Sequence, residues 1–587
     1  MHTHPAVTAL SDRIKATMAA AIRRSRPQAE QPDPLVRRGD RADFQADAAL
    51  SLARSAGRPP RELAADIAAA VDGDGLLDRI EVSGPGFLNL TLADAELWKQ
   101  VARRLDAGLG LPSPYAATVT VVDYSAPNVA KQMHVGHLRS TVIGDALSRL
   151  LEALGGTVIR QNHVGDWGTQ FGMLIQYIDE HPEAEWRDLG DGAVARVAAL
   201  DALYRAAAAL FREDPAFAER ARARVVALQA GEEATLAVWR ELVAVSQEAF
   251  SATYRRLGVE LSDVDLDGES RYNPFLDEVI AELTEAGIVV ESEGALCVFT
   301  EGFDGPDGNP VPLIVRKSDG GYGYAATDLA TIRHRARDLK AGRMLYVVDA
   351  RQARHFAQVF ATARRAGWIT GEHTVVHVAF GTVLGPDGRP FKTRAGDTVP
   401  LTSLLEAAVT GARAVVEEKN PALDPAEFDR IAEAAGIGAV KYADLSTART
   451  TDYRFDIERM VSLNGDTGVY LQYAHARTAS ILRKAGGAGT AGVDAALPMN
   501  PAERALTLHL DGYAAVLTQA AGLNEPHRIS TFLFRLAKLI SAFYDTSPVL
   551  DAPTPESRRN RLALVSLAGG TLRHGLSLLG IVAPDRM

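Results

Sequence analysis

One stretch constrains the fold of this chain more than any other: Asn128-Val-Ala-Lys131-Gln-Met-His134-Val-Gly136-His137-Leu-Arg139-Ser140-Thr141, which follows an apolar strand and opens a helix. Thr118-Val-Thr-Val-Val122 has the composition of a strand. Ile143, Leu147, Leu150, Leu151 and Leu154 then recur at helical spacing until Gly155-Gly156 supplies a stop. A strand, a glycine-bearing loop and a helix in that order suit a nucleotide. The helix N-terminus favours phosphate, Gly136 lets a ligand approach the backbone, and His134 and His137 add donors. Two histidines at a helix start are more often caps or surface residues, and as zinc ligands they would need partners that the neighbouring sequence lacks. H-x-G-H alone is therefore a modest signal, and its context decides.

At 587 residues, 47% apolar and 23% charged, the chain has the composition of a globular protein of three or four domains. No apolar run approaches membrane-spanning length, and no signal-peptide pattern stands at the N-terminus. A single cysteine, Cys297, excludes a disulfide framework and a cysteine-rich structural zinc site, so a reducing cytoplasm is the expected setting. A formal net charge of −11 argues against indiscriminate polyanion binding but leaves room for nucleic acid at a local basic face.

In chain order, residues 10–25 and 43–73 read as amphipathic helices. Arg79 to Ser83 and the stretch from Gly84-Pro-Gly86-Phe-Leu-Asn89 onward read as two strands around a turn, giving a small α+β unit. Arg37, Arg38 and Arg41 read as solvated surface charge, with phosphate contact the less favoured reading. From about 115 the pattern becomes that of a doubly wound nucleotide fold, with Thr157 to Asn162 as the next strand and the glycine-rich loop His163-Val-Gly165-Asp166-Trp167-Gly168-Thr-Gln170-Phe171-Gly172 after it. Residues 175–285 are mostly helical, with stretches Ala193 to Phe211 and Ala221 to Leu257, and look like an insertion. A second α/β unit carries strand Met344 to Val348, a helix ending near Gly367, strand Val375 to Phe380, and a Pro-Asp-Gly turn before Arg389, Lys392 and Arg394. From about 405 the chain is helical. There Tyr470, Gln472, Tyr473, Arg477, Arg483 and Lys484 mix aromatic, amide and basic groups, as RNA contacts do, although a bundle can also carry them as core and rim. No internal repeat or low-complexity tract is present.

Taken together these motifs resemble the class I aminoacyl-tRNA synthetases, and specifically the arginyl-tRNA synthetase family, over nearly the whole chain. His134-Val-Gly136-His137 resembles the HIGH signature with Val135 in place of Ile. Ser125-Ala-Pro-Asn128-Val-Ala-Lys131 and Val164-Gly-Asp-Trp-Gly-Thr-Gln-Phe171 are similar to arginyl-family motifs and far more specific. The resemblance implies a multidomain α/β protein. Its parts would be an N-terminal additional domain over 1–110 that reaches the tRNA elbow, a Rossmann-type catalytic domain over 111–404 with the helical insertion, and a helical anticodon-binding domain over 405–587. Gly84-Pro-Gly86-Phe87-Leu-Asn89 matches the first domain, and Tyr470-Leu-Gln472-Tyr473, Phe543-Tyr544 and the terminal Pro584-Asp-Arg-Met587 match the last.

The resemblance also implies site residues. Asp123, Asn128, Tyr324, Asp328 and Gln352 would hold the substrate arginine, whose planar guanidinium offers paired donors that a lysine ammonium cannot reproduce. Read without the resemblance, Asp328 is a helix N-cap. His134, Gly136 and His137 would meet ATP, with Mg²⁺ sharing the charge and His355 nearby, while Tyr470, Gln472, Tyr473, Arg477 and Met587 would contact tRNA. Arg389-Pro-Phe-Lys392-Thr-Arg394 departs from the KMSKS loop of the class by lacking a clean second lysine, and Lys131 is then implied as its substitute. The implied partners are tRNA-Arg, L-arginine and ATP, with no membrane, and the implied state is a monomer. Two competing readings are a small-molecule adenylyltransferase, whose chains are usually much shorter, and a synthetase-like RNA-binding protein that has lost activation.

Overall fold

The computed structural model describes residues 5–28, 32–72, 75–187, 192–391, 399–419, 424–487 and 492–587. Lys392 and Arg394 lie outside the described residues.

The N-terminal unit is an antiparallel sheet in the order Val36–Arg38, Phe44–Ala46, Phe87–Leu92, Leu77–Ser83, packed against helices Leu10–Ser25, Ala48–Ala56 and Pro60–Ala69. The single helical stretch expected over 43–73 is in fact a strand and two helices. Gly57 ends the first helix in the left-handed conformation (φ +60°), and Pro59-Pro60 can only restart one. Arg37 sits on the first strand and pairs with Asp47 at 2.9 Å, while Arg38 covers the Phe44 ring. The unit is fastened to the C-terminal helices by Arg104, which meets Asp511 at 2.9 Å in a nearly solvent-free pair, and by Arg504, which meets Asp43 and Asp94.

The central sheet is parallel, in the order Thr374–His377, Arg343–Tyr346, Val119–Asp123, Thr157–Gln161. Its register sets Asp123 beside Tyr346 on one side and Gln161 on the other, so the strand ends converge on one rim. In open parallel sheets that carboxyl rim is where ligands bind. Three insertion helices follow, Gly192–Glu213, Pro215–Gln229 and Glu233–Leu257; the stretch expected as one helix from Ala221 is interrupted at Gly231, whose φ is +80°.

Helix Val135–Ala153 is the hub of the molecule. Fourteen of its nineteen residues are buried, so it has no solvent face and must be wrapped on every side. It packs against the sheet and against helices Leu401–Lys419, Pro425–Leu445, Tyr513–Leu523 and Pro555–Leu578 of the C-terminal bundle. Gly144 permits this crowding, because a Cβ there would stand 2.2 Å from the Tyr124 ring. Two buried ion pairs fix the bundle to the helix: Arg139 with Asp444 at 3.2 Å, and Asp145 with Lys441 at 3.9 Å. Burial pushes the Lys441 ammonium down to about 8 against the pull of Asp145. Desolvation offsets much of the attraction within such pairs, but removing one partner strands the other charge at a cost of about 3–5 kcal/mol. Among the described residues no helix is long and apolar enough to cross a membrane.

Candidate active site

The rim of the sheet presents two neighbouring groups of side chains. The first is built on the start of helix Val135–Ala153. His134 is its N-cap: Nδ1 accepts the Gly136 N–H at 3.0 Å, and Nδ1 of His137 in turn accepts the His134 N–H at 3.1 Å. A backbone N–H can only donate, so each Nδ1 must be unprotonated, and a neutral ring then carries its proton on Nε2. Burial lowers His134 and pushes His137 down to about 3, with the charge of Lys131 adding to the first effect and His134 to the second. Both rings are therefore neutral Nε2–H donors at physiological pH.

This geometry changes the expected picture of an anion held by free backbone groups. The Val135 N–H donates to Val399, that of Gly136 to His134 Nδ1 and that of His137 to the His134 carbonyl. The backbone donors at the helix start are spent internally, and the imidazoles extend the helix's reach instead. Gly136 is exposed, and a Cβ there would stand 2.8 Å from His134 Cε1, so the residue keeps the ring edge open.

The loop that delivers these histidines is strained and braced. Ser125, Ala126 and Ala130 all lie in the left-handed region (φ +74°, +47° and +60°), which costs roughly 1 kcal/mol or more per non-glycine residue. The bracing bonds come from elsewhere. The Ser125 N–H donates to Ser140 Oγ, that of Ala126 to Asn162 Oδ1, and that of Ala130 to Ser246 Oγ, while the Ser125 hydroxyl meets Tyr254 Oη at 2.8 Å. Ser246 and Tyr254 belong to the insertion helix Glu233–Leu257. Asn128, exposed on the same loop, pairs in β-bridge fashion with Gly165.

The second group is acidic. Asp328 lies in the second turn of helix Tyr324–Arg337, whose N-cap is Gly323, so the capping alternative is excluded. Its carboxylate meets His355 Nε2 at 2.6 Å, and the His355 ring stands edge-on to the Tyr324 ring at 5.1 Å. His355, expected beside the nucleotide, is thus joined to the Tyr324–Asp328 pair. Tyr324 is 68% exposed, and Gln352 is exposed at the end of the turn Ala350–Gln352 that leads to His355.

Asp123 does not stand free either. Its carboxylate meets the fully buried Arg335 at 2.9 Å, and Arg335 also bonds Gln161 at 2.5 Å and lies near Asp267. The protein's own guanidinium therefore occupies the acid that was expected to greet the substrate's. Arg335 sits inside a helical stretch rich in basic residues, and nothing in that pattern separates it from its solvated neighbours.

Sequence reasoning missed two further members. His163 is pushed up to about 9: burial opposes its charge, but the Asp267 hydrogen bond and the charges of Asp123 and Asp328 outweigh it. Glu269, whose N–H is hooked to the Val164 carbonyl, is pushed up to about 7, chiefly by burial, with Asp328 and Asp166 adding to the rise and His163 opposing it. Among the described residues the five carboxyls Asp123, Asp166, Asp267, Glu269 and Asp328 are met by three cations, Arg335, His163 and Arg271, which pairs with Asp267 at 3.2 Å, an imbalance suited to a cationic ligand. The Gly-Glu-Ser run at 268–270, directly before an aromatic turn, was the available signal for Glu269.

Lys131 rests with its ammonium 4.1 Å from the centre of the Tyr204 ring, on insertion helix Gly192–Glu213. In the C-terminal bundle, Tyr470, Tyr473, Arg477 and Met587 line one cavity of about 520 Å³ together with Asn464 and Tyr544, and Arg477 lies over the Tyr544 ring. Gln472 is the exception. It is fully buried and donates to the Ala434 and Val582 carbonyls, so it braces the bundle from the opposite side of its helix and cannot reach that cavity.

A carboxyl-rim site on a parallel sheet, entered by a histidine-capped helix that is itself locked to a helical bundle, defines a class I aminoacyl-tRNA synthetase. Residues 110–457 match the family described as tRNA synthetases class I (R), catalytic domain; residues 9–92 match the arginyl tRNA synthetase N terminal domain, and residues 471–587 the DALR anticodon binding domain. An arginine–tRNA ligase of Frankia casuarinae is 60% identical over 590 residues, covering all of both chains, and one of Streptomyces coelicolor is 51% identical, covering 99% of this chain and 100% of its own. The solved arginyl-tRNA synthetase of Thermus thermophilus superposes with a TM-score of 0.80 at 28% identity, covering 98% of this chain and all of that one. The chain belongs to the arginyl-tRNA synthetase family.

Proposed function

We propose the following residue roles for the arginine–tRNA ligase activity that family membership gives this chain. Arginine binds with its guanidinium toward Asp328, Tyr324 and Glu269, and with Gln352 and Asn128 at the edges of the pocket. Asp123 acts mainly by anchoring Arg335. ATP enters with its Mg²⁺ and lays its phosphates against the Nε2–H groups of His134 and His137, with Gly136 leaving room and Lys131 supplying a cation. The arginine carboxylate then attacks the α-phosphorus in line, forming arginyl-adenylate as pyrophosphate leaves. A ribose hydroxyl of the tRNA's terminal adenosine next attacks the acyl carbon, and AMP leaves. Neither step needs a protein nucleophile, so positioning and donors aimed at developing phosphate charge supply the catalysis. Discrimination against lysine follows because a site of buried acids fitted to a planar fork leaves partners unpaired with an ammonium. Tyr470, Tyr473, Arg477 and Met587 receive tRNA in the bundle cavity, and the enzyme works in the cytoplasm as a monomer.

The observation that supports this reading most is the adjacency of opposites on one rim: neutral ring donors for a polyanion beside an excess of carboxyls for a cation. Arginine-dependent ATP–pyrophosphate exchange, assayed with and without cognate tRNA, tests it. Exchange driven by arginine and not by lysine is expected, at least when tRNA is present. Absence under both conditions would sink the reading.

A further inference from the structure

We infer that Tyr204, on the helical insertion, is a positioning residue that seats Lys131 at the mouth of the nucleotide site; the inference rests on the role proposed above for Lys131. The ammonium lies 4.1 Å from the ring centre of Tyr204, and among the described residues Lys131 has no ion-pair partner. That choice of partner matters chemically. A carboxylate would neutralise the lysine and compete with phosphate for its N–H groups. An aromatic face attracts the cation through its quadrupole while leaving the full charge and the donors available.

The rest of the setting restricts Lys131 in the same sense. Its backbone follows Ala130, which is held at φ +60° by the Ser246 hydroxyl from the insertion. Its side chain borders a narrow gap of about 20 Å³ shared with Val194, Val197, Phe250 and Thr402, which leaves little space for a swing toward the insertion's interior. Its charge already reaches the His134 ring three residues on. The insertion therefore does two jobs for one loop: Ser246 and Tyr254 fix the backbone, and Tyr204 fixes the direction of the only lysine on it.

The test is ATP–pyrophosphate exchange with full-length enzyme and tRNA present, comparing Tyr204→Phe, Tyr204→Leu and Tyr204→Met, each alone and combined with Lys131→Met. Tyr204→Leu and Tyr204→Met are expected to raise the KM for ATP about three- to tenfold and to leave the KM for arginine in place, while Tyr204→Phe restores ATP use because it keeps the aromatic face. In the Lys131→Met background the Tyr204 substitutions should add nothing further. Tyr204→Phe as damaging as Tyr204→Leu, or equal damage with and without Lys131, would overturn the inference. Lys131→Met with an unchanged KM for ATP would instead overturn the role of Lys131 itself. If Tyr204→Leu unfolds the protein, as a thermal melt would reveal, the Tyr204→Met pair decides.

Discussion

The two halves of the site handle charge in opposite ways. On the side we assign to the nucleotide stand neutral rings: His134 and His137 spend Nδ1 on the backbone, and burial keeps both uncharged. On the side we assign to the amino acid, carboxyls outnumber the cations Arg335, His163 and Arg271. A polyphosphate brings much charge and is released again as pyrophosphate, so in the proposed arrangement directional neutral donors and one lysine seated on an aromatic face would hold it without trapping the product. A guanidinium brings one delocalised charge of fixed shape, and fixed acids can match it.

Substitutions can break this comparison from either side. The largest effect is expected from Asp328→Ala, which removes a partly buried, hydrogen-bonded carboxylate and leaves His355 unpaired. Loss of one such partner is worth about 2–5 kcal/mol, so the KM for arginine should rise by roughly thirtyfold or more in exchange assays, with tRNA binding by gel shift unaltered. Unchanged arginine kinetics would remove Asp328 from the pocket. On the other half, His134→Asn keeps an acceptor near the Nδ1 position and so the cap, but deletes the Nε2 donor. The melting temperature should stay within a few degrees of the parent while kcat for exchange falls about a hundredfold, the usual scale for one transition-state donor. A variant that melts much earlier but turns over normally would mark His134 as a cap and nothing more.

Much of this was legible in the sequence where local chemistry and tertiary role agree. The strand before Asp123, the hub helix and the glycine stop at its end follow from composition and period, and the family resemblance named Tyr324 and Asp328, which the fold joins through His355. Legibility failed where partners come from distant segments. Nothing local marks Arg335 as buried, since the charges of Asp123 and Asp267 that compensate it lie 212 and 68 residues earlier in the chain. Glu269 is raised chiefly by burial, with Asp328 and Asp166 adding to the rise and His163 opposing it, and none of this is visible in its own segment. Gln472 is different, because its fault was readable. Tyr470, Tyr473 and Arg477 share a face at i, i+3 and i+7, and Gln472 does not lie on it.

The smallest effect is also the sharpest. Glu269 is held up to about 7, so as pH falls through that value it takes up a proton, the acidic half loses a negative charge and a cation binds less well. The measurement is the KM for arginine and for ATP between about pH 6 and pH 8, for the parent enzyme and Glu269→Gln side by side. The parent's KM for arginine should rise severalfold toward acid, the variant's should start higher and stay nearly flat, and the KM for ATP should be alike in both at every pH. Parallel arginine profiles in the two proteins, or an ATP profile that shifts with the substitution, would contradict a site divided into a neutral half and a charged one.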